Sequence, residues 1–454
     1  MRPGEVRALL GSFAYFFCLL CSYYILRPVR EEMGITGGVK NLPWLFTGTF
    51  VAMLAAVPLY AAVVARFSRR RFIPIVYRFF TLNLLVFYAL FQRAAGQVGV
   101  AQGFYIWTSV FNLFVVSVFW GFMADLWRSE EGKRLFGFIA AGGSAGALAG
   151  PLLAGQLAGR IGVLNLLLIA AVVLELAAQC AGWLSRRASS ARVTSGETAR
   201  GGEASPGRGE PSAPVQGAPS APGEGTRGRG EEAPEERIGH GLFSGLRPVF
   251  RSPYLLGISG ITLLTTLTST VLYWQQMHVI SAQIADRAER TALFASMDLY
   301  TNILSLVVQA FVTGQVMRRV GLVWALAAVP VVSAVGFLGL AVSPVIALFV
   351  IFQVIRRAAH YGLERPAREV LFTVVPREEK YTSKGFIDTV VYRGGDAASV
   401  WASDALAPLI GAAGLSLAML PVCALWIAVN VRLARRHAVL AREKPPVVEG
   451  SRVA

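Results

Sequence analysis

Apolar residues fall along this chain in blocks rather than in stripes. Near-continuous runs of roughly 20 residues, the length a helix needs to cross about 30 Å of hydrocarbon, recur throughout. They lie at about 7–30, 42–65, 72–92, 100–124, 135–156 and 161–184, then at about 252–279, 291–317, 321–341, 343–373, 384–410 and 412–433. The pattern predicts an all-α integral membrane protein of twelve transmembrane helices. It divides into an N-terminal six-helix half at 1–184, a C-terminal six-helix half at 242–436 and a tail at 437–454. The intervening residues, 185–241, are Gly, Pro, Ser, Ala and charge, with eight Arg and eight Glu between Arg186 and Arg237. Such a segment cannot bury enough apolar surface to fold, and reads as a disordered polyampholytic linker.

Composition agrees. Of 454 residues, 54% are hydrophobic and 15% charged, where a soluble chain carries about 25% charge. The formal charge of +16 concentrates in alternate loops. Arg66, Arg69, Arg70 and Arg71 follow the second span; Arg128, Lys133 and Arg134 the fourth; Arg318 and Arg319 the eighth; Arg377 and Lys380 the tenth; Arg432, Arg435 and Arg436 the last. Positive loops stay cytoplasmic, which predicts a multi-pass protein of the inner (cytoplasmic) membrane with both termini and the linker inside. Charges at span ends account for the basicity without nucleic acid as a partner. The basic start is followed by a full-length apolar run lacking a small-residue cleavage site, so no cleaved signal is expected.

The four cysteines, Cys18, Cys21, Cys180 and Cys423, sit in apolar runs and read as inert buried thiols. The four histidines pair with no Cys or carboxylate at metal-ligand spacing, and no catalytic triad, HExxH or Walker lysine is present. No enzyme activity, cofactor or metal is therefore expected. Gly142, Gly146 and Gly150, at intervals of four, predict a small-residue face for close helix packing.

Ionisable groups among membrane helices are costly and mark functional positions. The densest set lies at 352–396. Arg356, His360, Glu364 and Arg368 recur every four residues, which predicts one helical face, with Arg357, Tyr361 and Arg365 beside them. Pro366 should kink or break this helix. The stripe reads either as a substrate-facing or gating surface or as the solvated end of a long helix. Lys384, Asp388, Tyr392, Arg393 and Asp396 follow in the next span, lining a path or locking helices together. The first span ends with Arg27, Pro28, Arg30 and Glu31. Guanidinium forks suit carboxylate and phosphate oxygens, and a helix broken at Pro28 would add backbone donors; an interfacial anchor is the other reading. Arg78, Glu175 and Asp298 are single charges within spans, and Asp298, one turn from Asn302, is the ion-coupling candidate.

The halves echo each other. Glu130-Glu131 followed by Gly137-Phe138-Ile139 and Gly142-Gly143 parallels Glu378-Glu379 followed by Gly385-Phe386-Ile387 and Gly394-Gly395. Duplicated halves are common in secondary transporters. The six-plus-six arrangement resembles the major facilitator superfamily, whose loop motif is similar to Gly314…Arg318-Arg319-Val-Gly321. A finer resemblance is to the ATP/ADP translocase family of nucleotide transporters. It rests on Ile25-Leu26-Arg27-Pro28-Val29-Arg30-Glu31, Phe119-Trp120, the SPYLLG stretch at 252–257, His360-Tyr361…Pro366-Ala367-Arg368-Glu369, and Lys384…Ile387-Asp388 with Gly394-Gly395. That resemblance implies alternating-access antiport of a nucleotide, with its basic positions at Arg30 and Lys384. The family's two acidic positions fall near Thr108 and Val271, neither acidic here.

Together these readings predict a secondary active transporter of an organic anion, such as a nucleotide or other phosphorylated metabolite. The expected binding residues are Arg27, Arg30, Arg356, His360, Glu364, Arg368, Lys384, Asp388 and Arg393. The partners are the lipid bilayer and a small anionic substrate, and a monomer suffices. A non-transporting receptor or scaffold on the same architecture is the alternative.

Overall fold

A computed structural model describes residues 3–66, 69–93, 98–127, 129–201 and 245–443; most of the expected linker and the end of the tail lie outside the described residues. Six helices form the N-terminal half: α1 (Pro3–Thr36), α2 (Leu42–Arg66), α3 (Arg69–Arg93), α4 (Val98–Leu126), α5 (Ser129–Ile161) and α6 (Asn165–Gly201). α6 continues beyond 184, so the segment expected as linker begins in helix. In the second half, a short helix, Leu246–Arg251, precedes α7 (Pro253–Gln283), α8 (Arg287–Val320), α9 (Leu322–Val342) and α10 (Ile346–Val374). The last apolar stretch, Glu378–Glu443, has 66 residues, about 100 Å as one helix at 1.5 Å per residue. Gly411 interrupts it at φ 70° and ψ 174°, a conformation that glycine adopts without a Cβ penalty. The break yields α11 (378–410) and α12 (412–443), so the described residues hold twelve helices of spanning length.

The N-terminal half is packed from backbone contacts and rings. A Cβ on Gly142, Gly146 or Gly150 of α5 would collide with backbone of Phe13, Phe17 or Cys21 on α1. The spacing of four therefore brings two helix backbones together, as a small-residue face does. Phe119 of α4 is buried and stacks on Phe16 at 4.0 Å between centroids. The Phe-Trp pair noted in the sequence is thus a core element. Arg78 and Glu175 meet each other at 3.5 Å between α3 and α6.

The C-terminal half is built around α7. Ser252 caps it, accepting from the Leu255 N–H at 3.4 Å, and Pro253 occupies its first turn. A serine cap followed by proline is a strong helix start, which gives the SPYLLG stretch a structural reason. Four π-helical segments, Val308–Val312, Val316–Val320, His360–Glu364 and Ile387–Val391, interrupt α8, α10 and α11; among the described residues all lie in this half. Such segments often occur at functional sites.

Two prolines were expected to disturb their helices, and neither ends its helix. α1 runs through Pro28 to Thr36 without a break, so no free helix end stands beside Arg27 and Arg30. α10 also continues past Pro366. A proline removes the bond to the carbonyl four residues back, here that of Gly362. The π turn His360–Glu364 spreads the helix there, and the Gly362 carbonyl accepts from Thr313 Oγ1 at 2.6 Å, with Gln309 donating to the Tyr361 carbonyl at 3.2 Å. Partners on α8 replace the missing intrahelical donor.

Candidate substrate site

The two halves enclose a cavity of about 970 Å³, walled by α1, α4 and α5 on one side and α8, α10 and α11 on the other. A smaller chamber of about 200 Å³ lies beside it, and the two share Arg27, Arg30, Tyr361, Tyr392 and Arg393 as wall residues. The larger volume matches that of sites for small organic ligands, about 300–1,000 Å³.

The halves are tied together at the wall of the small chamber and beyond it, toward the α1–α2 and α7–α8 turns. Glu32 of α1, 0% exposed, accepts from Arg287 at 3.1 Å and from Arg290 at 2.8 Å, both on α8. Glu31 accepts from Tyr273 of α7 at 2.5 Å, and Tyr273 meets Tyr105 of α4 at 3.1 Å. Trp401 of α11 donates to Thr47 of α2 at 3.1 Å and stacks edge-on with Trp44. These contacts join the halves near the end away from the chain termini, while the large cavity lies on the terminal side of them.

The structure divides the residues singled out in the sequence into three groups. Arg27, Arg30 and Arg393 line both cavities. Arg30 sits over the Tyr105 ring at 4.0 Å and pairs with Glu31 at 2.9 Å; Arg393 reaches Asp396 at 3.4 Å. The second group, Arg356, His360 and Asp298, lines only the small chamber. Arg356, 3% exposed, spends its donors on Ser333, the Thr265 carbonyl, Thr268 and Ser269, and so joins α7, α9 and α10. Asp298 lies 3.4 Å from Arg27 and 2.9 Å from Arg357. Asn302 does not partner it, donating instead across the halves to the Ala147 carbonyl at 2.7 Å.

The third group lines neither cavity. Glu364, 2% exposed, has both oxygens occupied, by His360 at 2.8 Å and Thr265 at 2.7 Å. Arg368 pairs with Asp388 at 3.1 Å, and Lys384 with Glu369 at 2.8 Å. These pairs brace α10 against α11. The expected face of Arg356, His360, Glu364 and Arg368 is therefore not one surface. Past the π turn His360–Glu364 the row beside it reaches the space instead: Tyr361 lines both cavities and Arg365 the large one, while Arg357, before the turn, shares the small chamber with Arg356 and His360.

Arg365 is exposed on the large cavity's wall and has no polar partner among the described residues. The sequence placed it beside the expected face rather than among the binding residues; Pro366 was the signal that the spacing would shift. Glu32, Arg287 and Arg290 were passed over, because no spacing rule links groups so far apart in sequence. Of the positions where the nucleotide-transporter resemblance places acids, Thr108 is on the cavity wall, bonded to its own helix at 2.8 Å, and Val271 is buried in the C-terminal core.

The walls of the two cavities carry six arginines, Arg27, Arg30, Arg356, Arg357, Arg365 and Arg393, against four carboxylates, Glu31, Asp298, Glu369 and Asp396. One of those four, Glu369, is already paired with Lys384. Cation excess in a low-dielectric cleft attracts anions, and Tyr23, Tyr24, Tyr361 and Tyr392 add ring faces.

No curated protein matches the chain by sequence. Its fold is shared with solved transporters at low identity. One is a bacterial homologue of the human lysosomal transporter Spinster, inward-facing and unoccupied (13% identity, 97% of this chain and 98% of that one, TM-score 0.55). Another is a bacterial homologue of the iron transporter ferroportin, inward-facing (12%, 95% and 98%, TM-score 0.60). A third is a POT family transporter in complex with 5-aminolevulinic acid (10%, 96% and 96%, TM-score 0.59). Residues 8–395 match the family described as the Major Facilitator Superfamily. The chain therefore belongs to the major facilitator superfamily, as a multi-pass membrane transporter and not an enzyme.

Proposed function

We propose that this transporter moves an organic anion bearing a phosphate or several carboxylates, a nucleotide being one candidate, by alternating access between its two halves. The observation that carries the reading is the arginine excess on the walls of a cavity between the halves, with Arg365 unpaired on the larger one. Arginine suits such groups because its fork matches their oxygens and it stays charged when buried. In this reading Arg27 and Arg30 on α1 and Arg357, Arg365 and Arg393 on α10 and α11 hold the anion from opposite sides, and tyrosines take its organic part. Arg368, Lys384 and Asp388 act at a distance, holding α10 and α11 in register.

The cavity lies toward the termini and the ties between the halves lie opposite. With termini and basic loops in the cytoplasm of an inner membrane, this is the state that would load or release substrate inside. Exchange of one anion for another fits the permanent positive charge of the site.

Proteoliposomes loaded with ATP or ADP and offered the labelled nucleotide outside test the proposal. Time-dependent uptake that falls when Arg30 is replaced by Gln is the expected result. Uptake of neither nucleotide, and of no other organic phosphate or polycarboxylate, by well-folded protein would remove anion transport and leave the receptor reading.

A further inference from the structure

Asp298 is placed in a way that a simple helix lock does not need. It is on α8 and is 3% exposed. Its Oδ1 is 2.9 Å from Arg357 Nη1 of α10 and 3.4 Å from Arg27 Nη1 of the opposite half. One oxygen thus serves two guanidiniums. Its Oδ2 and the Nη2 of Arg357 have no hydrogen-bond partner among the described residues. A structural arginine–carboxylate pair commonly uses both oxygens in a two-pronged contact. Here one prong of each buried group is left unmet, and all three side chains face the same small chamber.

Resting on the anion-transport reading above, we propose that Asp298 is a tethered stand-in for the substrate's own anionic group, displaced when the substrate binds. An arginine buried among membrane helices without a counter-charge is strongly unfavourable. Asp298 supplies that counter-charge to Arg27 and Arg357 when the site is empty, and bridges the halves in doing so. An incoming phosphate brings several oxygens to the same guanidiniums and can satisfy the prongs that Asp298 leaves open. A single carboxylate brings one negative charge, no more than Asp298 already provides. The competition therefore selects for substrates with at least two negative charges, and binding releases a tie between the halves.

The competition is measurable without knowing the natural substrate. Full-length purified protein is titrated with inorganic pyrophosphate and, separately, with ATP, and apparent affinity is read from the rise in melting temperature. If the bridged form dominates so that the open site is only about a tenth populated, removing the competitor tightens apparent binding on the order of tenfold. Asp298→Asn should therefore bind both probes about tenfold more tightly than the unaltered protein, with a lower melting temperature when unliganded. Equal or weaker binding by Asp298→Asn overturns the stand-in role while leaving anion binding intact. Should Asp298→Asn not fold, Arg357→Gln is compared with the double variant carrying both changes, in which the buried partners are removed together; tighter binding by the double variant supports competition at Arg27, and equal binding overturns it. Binding of neither probe to any of these proteins overturns the phosphate-binding reading, and the stand-in role with it.

Discussion

The two halves answer the same architectural demand with different materials. In the N-terminal half, Gly142 and Gly143 press against the Phe13 backbone and the Phe16 ring, and aromatic stacks fill the core. In the other half, a Cβ added at Gly394 or Gly395, the pair the sequence echo sets beside them, would meet only side chains, 3.6 Å from Phe50 and 3.0 Å from Leu263. All four π segments of the described residues and four of the six wall arginines belong to that second half. A repeated sequence motif has thus become a backbone clamp in one copy and a looser seam in the other. One half is a stiff wall that offers Arg27 and Arg30; the other carries most of the charge and the helix irregularities that aim it.

Replacing equivalent glycines breaks the comparison most directly. Gly142→Ala puts a methyl into the Phe13 carbonyl, which cannot swing aside as a side chain can, and should cost ~3 kcal/mol, seen as a large drop in melting temperature or loss of monodisperse protein. Gly395→Ala needs Leu263 and Thr266 to give by a few tenths of an ångström and should cost about 1 kcal/mol or less. Equal losses at the two sites would end the claim that the halves are packed differently.

The arginines sharpen it next. Removing a charged hydrogen-bonding partner costs about 1.5–3 kcal/mol, so Arg30→Gln should lower kcat/KM for a transported anion by about 10- to 100-fold. Arg365→Gln, on the outer wall of the large cavity, should mainly raise KM by a few-fold with little change in kcat, as expected of a group that draws the anion in. A larger effect at Arg365 than at Arg30 would move the site's centre into the C-terminal half.

Much of this was legible in the sequence. Twelve apolar blocks correspond to twelve spanning-length helices among the described residues, including the division at Gly411, because hydrocarbon thickness imposes one length on every span. The spacing of Gly142, Gly146 and Gly150 gave a packing face, and the two arginines of α1 and Asp298 did reach the interior. Legibility ended where geometry depends on distant partners. Glu364, Arg368, Lys384 and Asp388 carry the charge expected of a site, yet neighbours within their own half take it up. Pro28 passes through α1 unbroken, and Pro366 shifts the register of α10 without ending it. The second outcome is not encoded locally, since it rests on what α8 supplies to the freed Gly362 carbonyl.

The ties between the halves should respond more modestly. Glu32→Gln weakens two contacts, to Arg287 and Arg290, and keeps the shape of the side chain. A bias of about 1 kcal/mol toward opening changes a two-state ratio about fivefold. A cysteine at Gln276, which lines the small chamber, in a background without the native thiols, should then react about fivefold faster with a polar reagent applied from the face opposite the termini. An unchanged rate would mean that Glu31, Tyr273 and Tyr105 hold the halves together without Glu32.

The smallest effect is the most discriminating for the register of α10. Pro366→Ala restores a backbone N–H that can reach the Gly362 carbonyl, now served by Thr313. If the proline imposes the π turn, its loss lets α10 return to regular pitch, rotating Arg365 away from the cavity. Stability should then change by less than about 1 kcal/mol, while uptake falls a few-fold. If instead Thr313 and Gln309 hold the turn, Pro366→Ala alone should leave uptake unchanged, and the loss should emerge only when Thr313→Val is added. The two outcomes separate a register written by one residue from one written by packing between α8 and α10, and in either case they bear on the C-terminal half alone. A comparable transport defect from Pro28→Ala, in a helix whose pitch the structure shows undisturbed, would mean that the stiff half also stores a register shift, and the contrast between the halves would lose its basis.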